Sequence, residues 1–481
     1  MISGGRRRDG GAPNAQGPQI ALNRPESITV PDAAEVPDGL ANPQRLLAFT
    51  TLAVAITMAV LDGTIVTVAL PTMARQFAVT PESAIWIVNA FQLAVTVSLL
   101  PLAALGDMFG YRRIYWWGLA LFTVASLACA LAPTFAVLTF ARLVQGLGAA
   151  GIMSVNIALI RFIYPHARLG QGVGNMAVVV AVATAGSPSV AAAILSVASW
   201  HWLFLINVPI GAVALIMAAR TLPETPRAAG RLDLQSVILN ALTFGLVIAG
   251  VNRIGQGGSP SVGLIEIAAG GAIGVALVRR QLRLPAPLLP VDLLRRPVFA
   301  LSLATSISSF GAQALAIVSL PFFFEDRLGH SATTSGLLLT PWPVATALIA
   351  PIAGRLADRF IPGILGSIGL LVMGGGLALV AVGIADSHPV SLAWRLAICG
   401  LGFGFFQSPN NRVIIGSAPR ERSGGAAGLQ SSGRLIGQSL GTALVAVAFG
   451  RAPAHATEIA IWGAAALTLA GAVASGLRKA G

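Results

Sequence analysis

Charge is what this chain of 481 residues has least of: 10% of its residues are Asp, Glu, Lys or Arg, against roughly 25% in a soluble globular domain. With 55% apolar residues and a mean hydropathy of +0.79, that shortage excludes most soluble enzymes and disordered chains and leaves a polytopic membrane protein. Cysteine is nearly missing as well. Cys129 and Cys399 each sit in an apolar run without metal-ligand neighbours, so neither a zinc site nor a disulfide is expected. A phosphate-binding loop of the form GxxxxGKS or GxxxxGKT is absent, which argues against direct ATP coupling. The first 45 residues, rich in Gly, Pro and Arg, hold no apolar stretch fit for a signal peptide; 1–45 reads as a flexible cytoplasmic tail. A net charge of +13 would ordinarily suggest nucleic acid. Here the arginines stand a few at a time between apolar runs, as loops on the cytoplasmic face do, so the expected partner is the lipid bilayer and no nucleic acid.

Apolar stretches of about 20 residues, each long enough at ~1.5 Å per residue to cross a bilayer, follow one another from Leu46 onward. They predict fourteen helices, at 46–70, 83–105, 114–132, 134–161, 170–197, 199–220, 233–254, 261–280, 297–323, 333–354, 361–385, 390–411, 424–449 and 456–477. Of the Lys and Arg residues, twenty-four fall on the side of the N-terminal tail, five on the other, and Arg142 and Arg434 inside helices. The bias places both termini in the cytoplasm. The chain also repeats at a near-constant offset: Pro71 answers to Pro321, Asp107 to Asp358, Asn156 to Asn410 and Arg168 to Arg422. The expected fold class is therefore an all-α polytopic membrane protein with 14 transmembrane helices. It comprises two parallel six-helix halves, 46–221 and 297–478, with two inserted helices, 233–280, between them. Parallel halves with a site at their interface describe a rocking transporter.

Of eighteen acidic residues, Asp62 alone lies deep in a helix of either half, and its counterpart near Ala312 is not acidic. An ionisable group at that depth is a functional residue by default; the alternative is a structural Asp bonded to Arg142 or to helix backbone. Counted from the outer ends of the 46–70 and 134–161 helices, the two charges lie at similar depth. A carboxylate and a guanidinium that pair, part and re-pair suit proton coupling. Asn89, Gln92, Asn156, Gln313, Asn410, Arg434 and Gln438 are candidates for a substrate cavity, with Asn207 and Asn411 as further polar groups; interhelical hydrogen bonding is the alternative for each. Trp86, Phe91, Trp342, Phe405 and Phe406 offer π surface to a flat or greasy cation. Glu325 and Asp326 read as a solvated loop or as a cation-gathering mouth.

In their order and spacing, LDGTIVTVALP (61–71), GDMFGYRR (106–113), RLVQGLG (142–148), WHWLFLINVPIG (200–211), GRLADR (354–359) and GFFQSPNNR (404–412) form a highly specific combination. Through them the chain resembles the major facilitator superfamily, and within it the fourteen-helix drug:proton antiporters, especially the branch that exports quaternary ammonium compounds and methyl viologen. The resemblance covers about 46–478. Two departures stand out: Ser187 and Pro188 replace the Gly-Pro of the family's fifth-helix motif, keeping the kinking proline, and Thr67 stands where the family has Asn. The resemblance implies a secondary active exporter, not an enzyme, driven by the proton motive force with no cofactor. Its substrates would be small, lipophilic, cationic toxic compounds and its place the bacterial inner membrane. Asp62 and Arg142 would couple protons, while Gly106, Asp107, Gly110, Arg112, Arg113 and Asp358 would gate. The glycines would permit a tight turn, with Asp107 accepting from a helix N-terminus or from Arg112 and Arg113. Other readings are export of an endogenous metabolite or lipid, or a non-transporting membrane scaffold or sensor, which the repeat and the buried ionisable pair disfavour.

Overall fold

The computed structural model describes residues 38–227, 232–284, 291–384, 388–417 and 423–480; most of the predicted tail, and Arg422, lie outside them. Its long helices are α1 (Gln44–Gln76), α2 (Pro81–Phe109), α3 (Tyr111–Ala130), α4 (Phe135–Ile163), α5 (His166–Val197), α6 (His201–Thr221), α7 (Leu234–Gly255), α8 (Pro260–Gln281), α9 (Pro297–Arg327), α10 (Ala332–Leu356), α11 (Pro362–Val382), α12 (Pro389–Gly416), α13 (Ser423–Arg451) and α14 (Ala456–Gly476). Among the described residues thirteen are long and apolar enough to cross a membrane. The other, α13, matches them in length but carries Gln430, Arg434 and Gln438.

Local chemistry sets the boundaries. Proline occupies the first turn of α8, α9, α11 and α12, where its missing N–H costs nothing. Thr134 and Asp233 cap α4 and α7 by accepting from Val137 N and Ser236 N. Several helices outrun expectation, α2 reaching Phe109 and α12 reaching Gly416 among them. α1 passes through Pro71 to Gln76, and α9 passes through Pro321 to end in a π-helical turn at Phe323–Arg327. Proline removes one backbone donor, yet in hydrocarbon a continued helix still satisfies all the others.

The two sets of six helices repeat one neighbour pattern. α2 and α3 pack on α4 as α10 and α11 pack on α12, and α1 lies against α5 and α6 as α9 lies against α13 and α14. Contacts between the sets run along α1–α9, α5–α10 and α2–α13. At the end where α1 and α9 finish, one apolar cluster joins both sets, with Leu70, Met73, Trp200 and Phe204 against Phe310, Phe322, Phe324 and Phe449. Towards the opposite end the clusters separate. One draws on the first six helices and Leu435, the other on Leu293, Phe299, Ile414, Ala426 and Leu429. The apolar contacts between the sets are thus concentrated at the Gln76 end, the closed end, and thin out towards the end where α1 begins, the parted end.

α7 and α8 form a hairpin clasped at both ends, by Asp233 with Arg280 (2.8 Å) and by Arg253 with Glu266 (2.7 Å). The Arg280 guanidinium holds the Asp233 carboxyl down at about 2, so that clasp stays ionised. The hairpin lies on the flank of the α2–α13 seam. Asn252 accepts from Asn89 Nδ2 (3.2 Å), Asn240 donates to the Val97 carbonyl (3.0 Å), and Arg451 Nε donates to the Ile254 carbonyl (3.1 Å). Gly255 meets α13 backbone to backbone: a Cβ there would come 2.7 Å from the Ala446 carbonyl carbon. Gly255→Ala should therefore lower the melting temperature in detergent by several degrees. Gly271→Ala, on an open face of α8, should be neutral or stabilising by about 0.5–1 kcal/mol, because Ala favours helix. Equal effects from the two substitutions would contradict the close approach.

Candidate functional site

Three helices deliver polar groups to one buried point. α1 brings Asp62, 1% exposed; α4 brings Arg142 and Gln145, both 0% exposed and three residues apart on one face. α6 brings Asn207, which opens its second segment after a break at Ile206. The donors divide between the carboxylate oxygens. Oδ1 accepts from Gln145 Nε2 (2.8 Å) and Asn207 Nδ2 (3.0 Å), while Oδ2 accepts from Arg142 Nη1. Arg142 also donates to Gln145 Oε1 (2.6 Å) and, through Nε, to the Ile87 carbonyl (3.1 Å), and its guanidinium lies 4.2 Å from the Phe91 ring centroid. Gln145 donates again to Ser126 (2.8 Å) and accepts from Cys129 Sγ (3.5 Å). Arg142 Nη2 alone has no partner among the described residues. A pair so placed is strongly interdependent, since removing one member of a buried ion pair costs about 3–5 kcal/mol.

The sequence brought Asp62 and Arg142 together by counting depth from helix ends; they do meet, although α1 extends to Gln76 rather than stopping at 70. Gln145 is not among the candidates that the sequence offers, and Asn207 stands there only as a further polar group. Gln145 had a signal, standing three residues after Arg142 within the quoted RLVQGLG. Beside Asp62 a cavity of about 430 Å³ opens between α1, α5 and α6, lined by Thr57, Met58, Leu61, Val190, Asn207 and Ile210.

Several cavity candidates belong to helix packing instead. Asn89 is buried and spends its amide on Asn252 of the hairpin. Asn156, also buried, reaches Met176 Sδ at 3.9 Å within the first six helices. Asn410 donates to Ser306 Oγ (2.7 Å) and accepts from Arg478 Nη1 (2.6 Å). The Asn89 and Asn410 amides answer polar groups on neighbouring helices, while Asn89 Oδ1 and Asn156 Oδ1 are buried without a partner among the described residues. Trp342 is fully buried and Phe91 packs beneath Arg142. Gln92, Gln313, Arg434 and Gln438 are half-buried, with Gln92 Oε1 unpartnered among the described residues.

The GDMFGYRR segment is less of a loop than expected. α2 continues through Gly106 and Asp107 to Phe109, and the turn is Gly110 alone, at φ +94°, a conformation that favours glycine. Gly106 serves packing, because a Cβ there would come 2.7 Å from Val155. Asp107 is exposed and accepts from the Tyr111 hydroxyl rather than from Arg112 or Arg113. Arg112 donates to the Ala219 carbonyl and stands 3.7 Å from Glu224, and Tyr111 N donates to Thr225 (2.9 Å). Arg113 borders a cleft of about 310 Å³ with Trp116, Glu224 and Arg227. These contacts stay within the first six helices and the segment that follows α6, at the parted end. Asp358 pairs with Arg412 of α12.

At the closed end the acids read as loop or mouth form a latch. Arg75 of α1 pairs with Glu325 and with Asp326 (2.8 Å), and Thr72 donates to Glu325 (3.1 Å). Farther along the seam Ser189 hydrogen-bonds Thr340 (3.0 Å), and Gly336 of α10 lies so near the Pro188 carbonyl that a Cβ would come within 2.8 Å. Ser187 ties α5 to Thr64 of α1 (2.6 Å). Arg75 is half-exposed, so the latch contributes about 1 kcal/mol at most. In Arg75→Gln, the distance distribution between nitroxide labels at Thr80 and Ser331 should gain a longer component, reflecting up to about a fivefold shift in the opening equilibrium. An unchanged distribution would show that the latch holds nothing.

Residues 52–442 match the Major Facilitator Superfamily profile. The chain is 52% identical to YebQ of Escherichia coli, described as an uncharacterized transporter, over 92% of this chain and 97% of that one. It is 31% identical to the multidrug resistance protein Stp of Mycobacterium tuberculosis, over 84% of this chain and 76% of that one. Among solved structures it shares its fold with a bacterial homologue of the human lysosomal transporter Spinster, crystallised inward-facing and unoccupied. The TM-score is 0.65 at 16% identity, covering 91% of this chain and 98% of that one.

Proposed function

Because the chain belongs to the major facilitator superfamily, and is therefore a membrane transporter, we propose that it is a proton-coupled exporter of lipophilic toxic compounds. In this reading it crosses the bacterial inner membrane fourteen times, α13 included, with both termini in the cytoplasm. The closed Gln76 end is then the outer side and the parted end opens to the cytoplasm. Similarity to a multidrug resistance protein supports the cargo class. The observation that carries the proposal is the buried Asp62 network.

Gln145 and Asn207 both donate to Oδ1, so the oxygen left to take a proton is Oδ2, which Arg142 holds. Proton and guanidinium thus compete for one atom. Protonation releases Arg142 from its Coulombic tie and lets α1 and α4 shift; deprotonation draws them back. Cargo export in one half-cycle and proton entry in the other follow if that shift is linked to opening of the outer latch. A cationic cargo would have to displace Arg142 to reach Asp62, which removes the main reason for expecting a cation. Asp107 and Arg113, lying at the parted end, would latch that side when the bundle opens outward.

The test is transport in proteoliposomes under an imposed pH difference, with ethidium and 8-anilino-1-naphthalenesulfonate as probes. Asp62→Asn should abolish gradient-driven accumulation. Since it strands the Arg142 charge, the double variant Asp62→Asn with Arg142→Gln restores a neutral, hydrogen-bonded site and should fold yet remain inactive. A double variant that still built a gradient would remove Asp62 from the coupling role.

A further inference from the structure

Arg142, Arg434 and Arg478 lie among packed helices, and the first and last are answered. Arg142 pairs with Asp62, and Arg478 donates to Ser302 (2.9 Å) and Asn410 (2.6 Å). Arg434 is deep in α13, surrounded by protein yet partly accessible, and it makes no hydrogen bond or ion pair to any described residue.

Its direction follows from its neighbours. Gly433 and Gly437 face α9, where Cβ atoms would come 2.4–2.5 Å from Leu303 and the Ile307 carbonyl oxygen, and Leu435 packs into the apolar cluster of the first six helices. Further along, the face bearing Ala446 meets the hairpin at Gly255. At about 100° per residue, Arg434 and Gln438 project between the α9 face and the face toward the first six helices, away from the hairpin. They therefore border the space between the two sets of helices. Its charge balance is one-sided. Asp62 is cancelled by Arg142, so Arg434 leaves the region cationic, and an unanswered guanidinium in a low-dielectric setting favours an anion that can accept its fork of donors.

We infer that Arg434 binds an anionic group of the cargo, so that the chain selects lipophilic anions over lipophilic cations. This names the substrate class within the exporter reading and rests on it. Gln438, one turn away, supplies a neutral donor to the same group.

Binding to the full chain in nanodiscs tests this with 8-anilino-1-naphthalenesulfonate, with N-phenyl-1-naphthylamine, which lacks only the sulfonate, and with ethidium. Arg434→Gln should weaken sulfonate binding on the order of tenfold and leave N-phenyl-1-naphthylamine within about twofold. Arg434→Lys, which keeps the charge but not the fork of donors, should fall between wild type and Arg434→Gln in sulfonate affinity, and unchanged melting of both variants reports intact folding. Equal sulfonate affinity in wild type and Arg434→Gln, or tighter wild-type binding of ethidium than of the sulfonate, overturns the inference. The paired Asp62→Asn, Arg142→Gln chain separates the two readings: it should lose gradient-driven transport and keep the sulfonate preference. Transport retained there refutes proton coupling at Asp62 while leaving the Arg434 result standing.

Discussion

A carboxylate placed where water does not reach must be met by donors from the protein itself, and Asp62 imposes that requirement on half of the bundle. Its two oxygens fix Arg142 and Gln145 on α4 and Asn207 on α6. Those in turn recruit Ser126 and Cys129 from α3 and the Ile87 carbonyl from α2. Five of the first six helices are therefore registered against one another through a single acid. Membrane helices lack the hydrophobic drive that sorts soluble cores, so hydrogen bonds and small-residue contacts must set which helix lies beside which.

The second set of helices has the same architecture without that chemistry. At the corresponding buried positions stand Ala312, Leu396 and Cys399, all fully enclosed. Its polar centre is displaced toward the parted end, where Arg478 gathers Ser302, Ser475 and Asn410. The two similar scaffolds thus differ in their polar centres: one set carries a buried ion pair and the other an arginine answered by hydroxyls and an amide. Among the described residues, Glu325 and Asp326 carry charge across the seam by pairing with Arg75 of the first set.

The helices were legible because hydrocarbon permits so few alternatives: runs of apolar residues located nearly all of them, and the internal offset anticipated the shared neighbour pattern. Helix ends were harder to read. Pro71 looks like a terminator, and the 46–70 helix was expected to stop before it, but a membrane penalises the broken backbone more than the missing donor. Asp62 and Arg142 stood out because a charge in an apolar run has one common explanation. Amides do not stand out in that way. Asn89, Asn156 and Asn410 are indistinguishable in sequence from cavity residues, since the difference lies in which neighbouring helix presents an acceptor. The Arg75 latch was invisible for a similar reason: each partner looks like an ordinary loop charge until the two helix ends are brought together.

The hairpin of α7 and α8 is inserted between two otherwise continuous bundles, yet it is not modular. It is fastened to α2 through Asn89 and the Val97 carbonyl and touches α13 through bare backbone at Gly255. Excising it would leave the Asn89 amide facing acyl chains and expose glycine-thinned helix surface that lipid cannot fill. A twelve-helix version of this protein is therefore not reached by deletion alone. It also calls for an apolar replacement of Asn89 and a bulkier residue at Gly450 of α13, whose backbone meets Gly255, so gain or loss of the hairpin is coupled to changes elsewhere in the bundle.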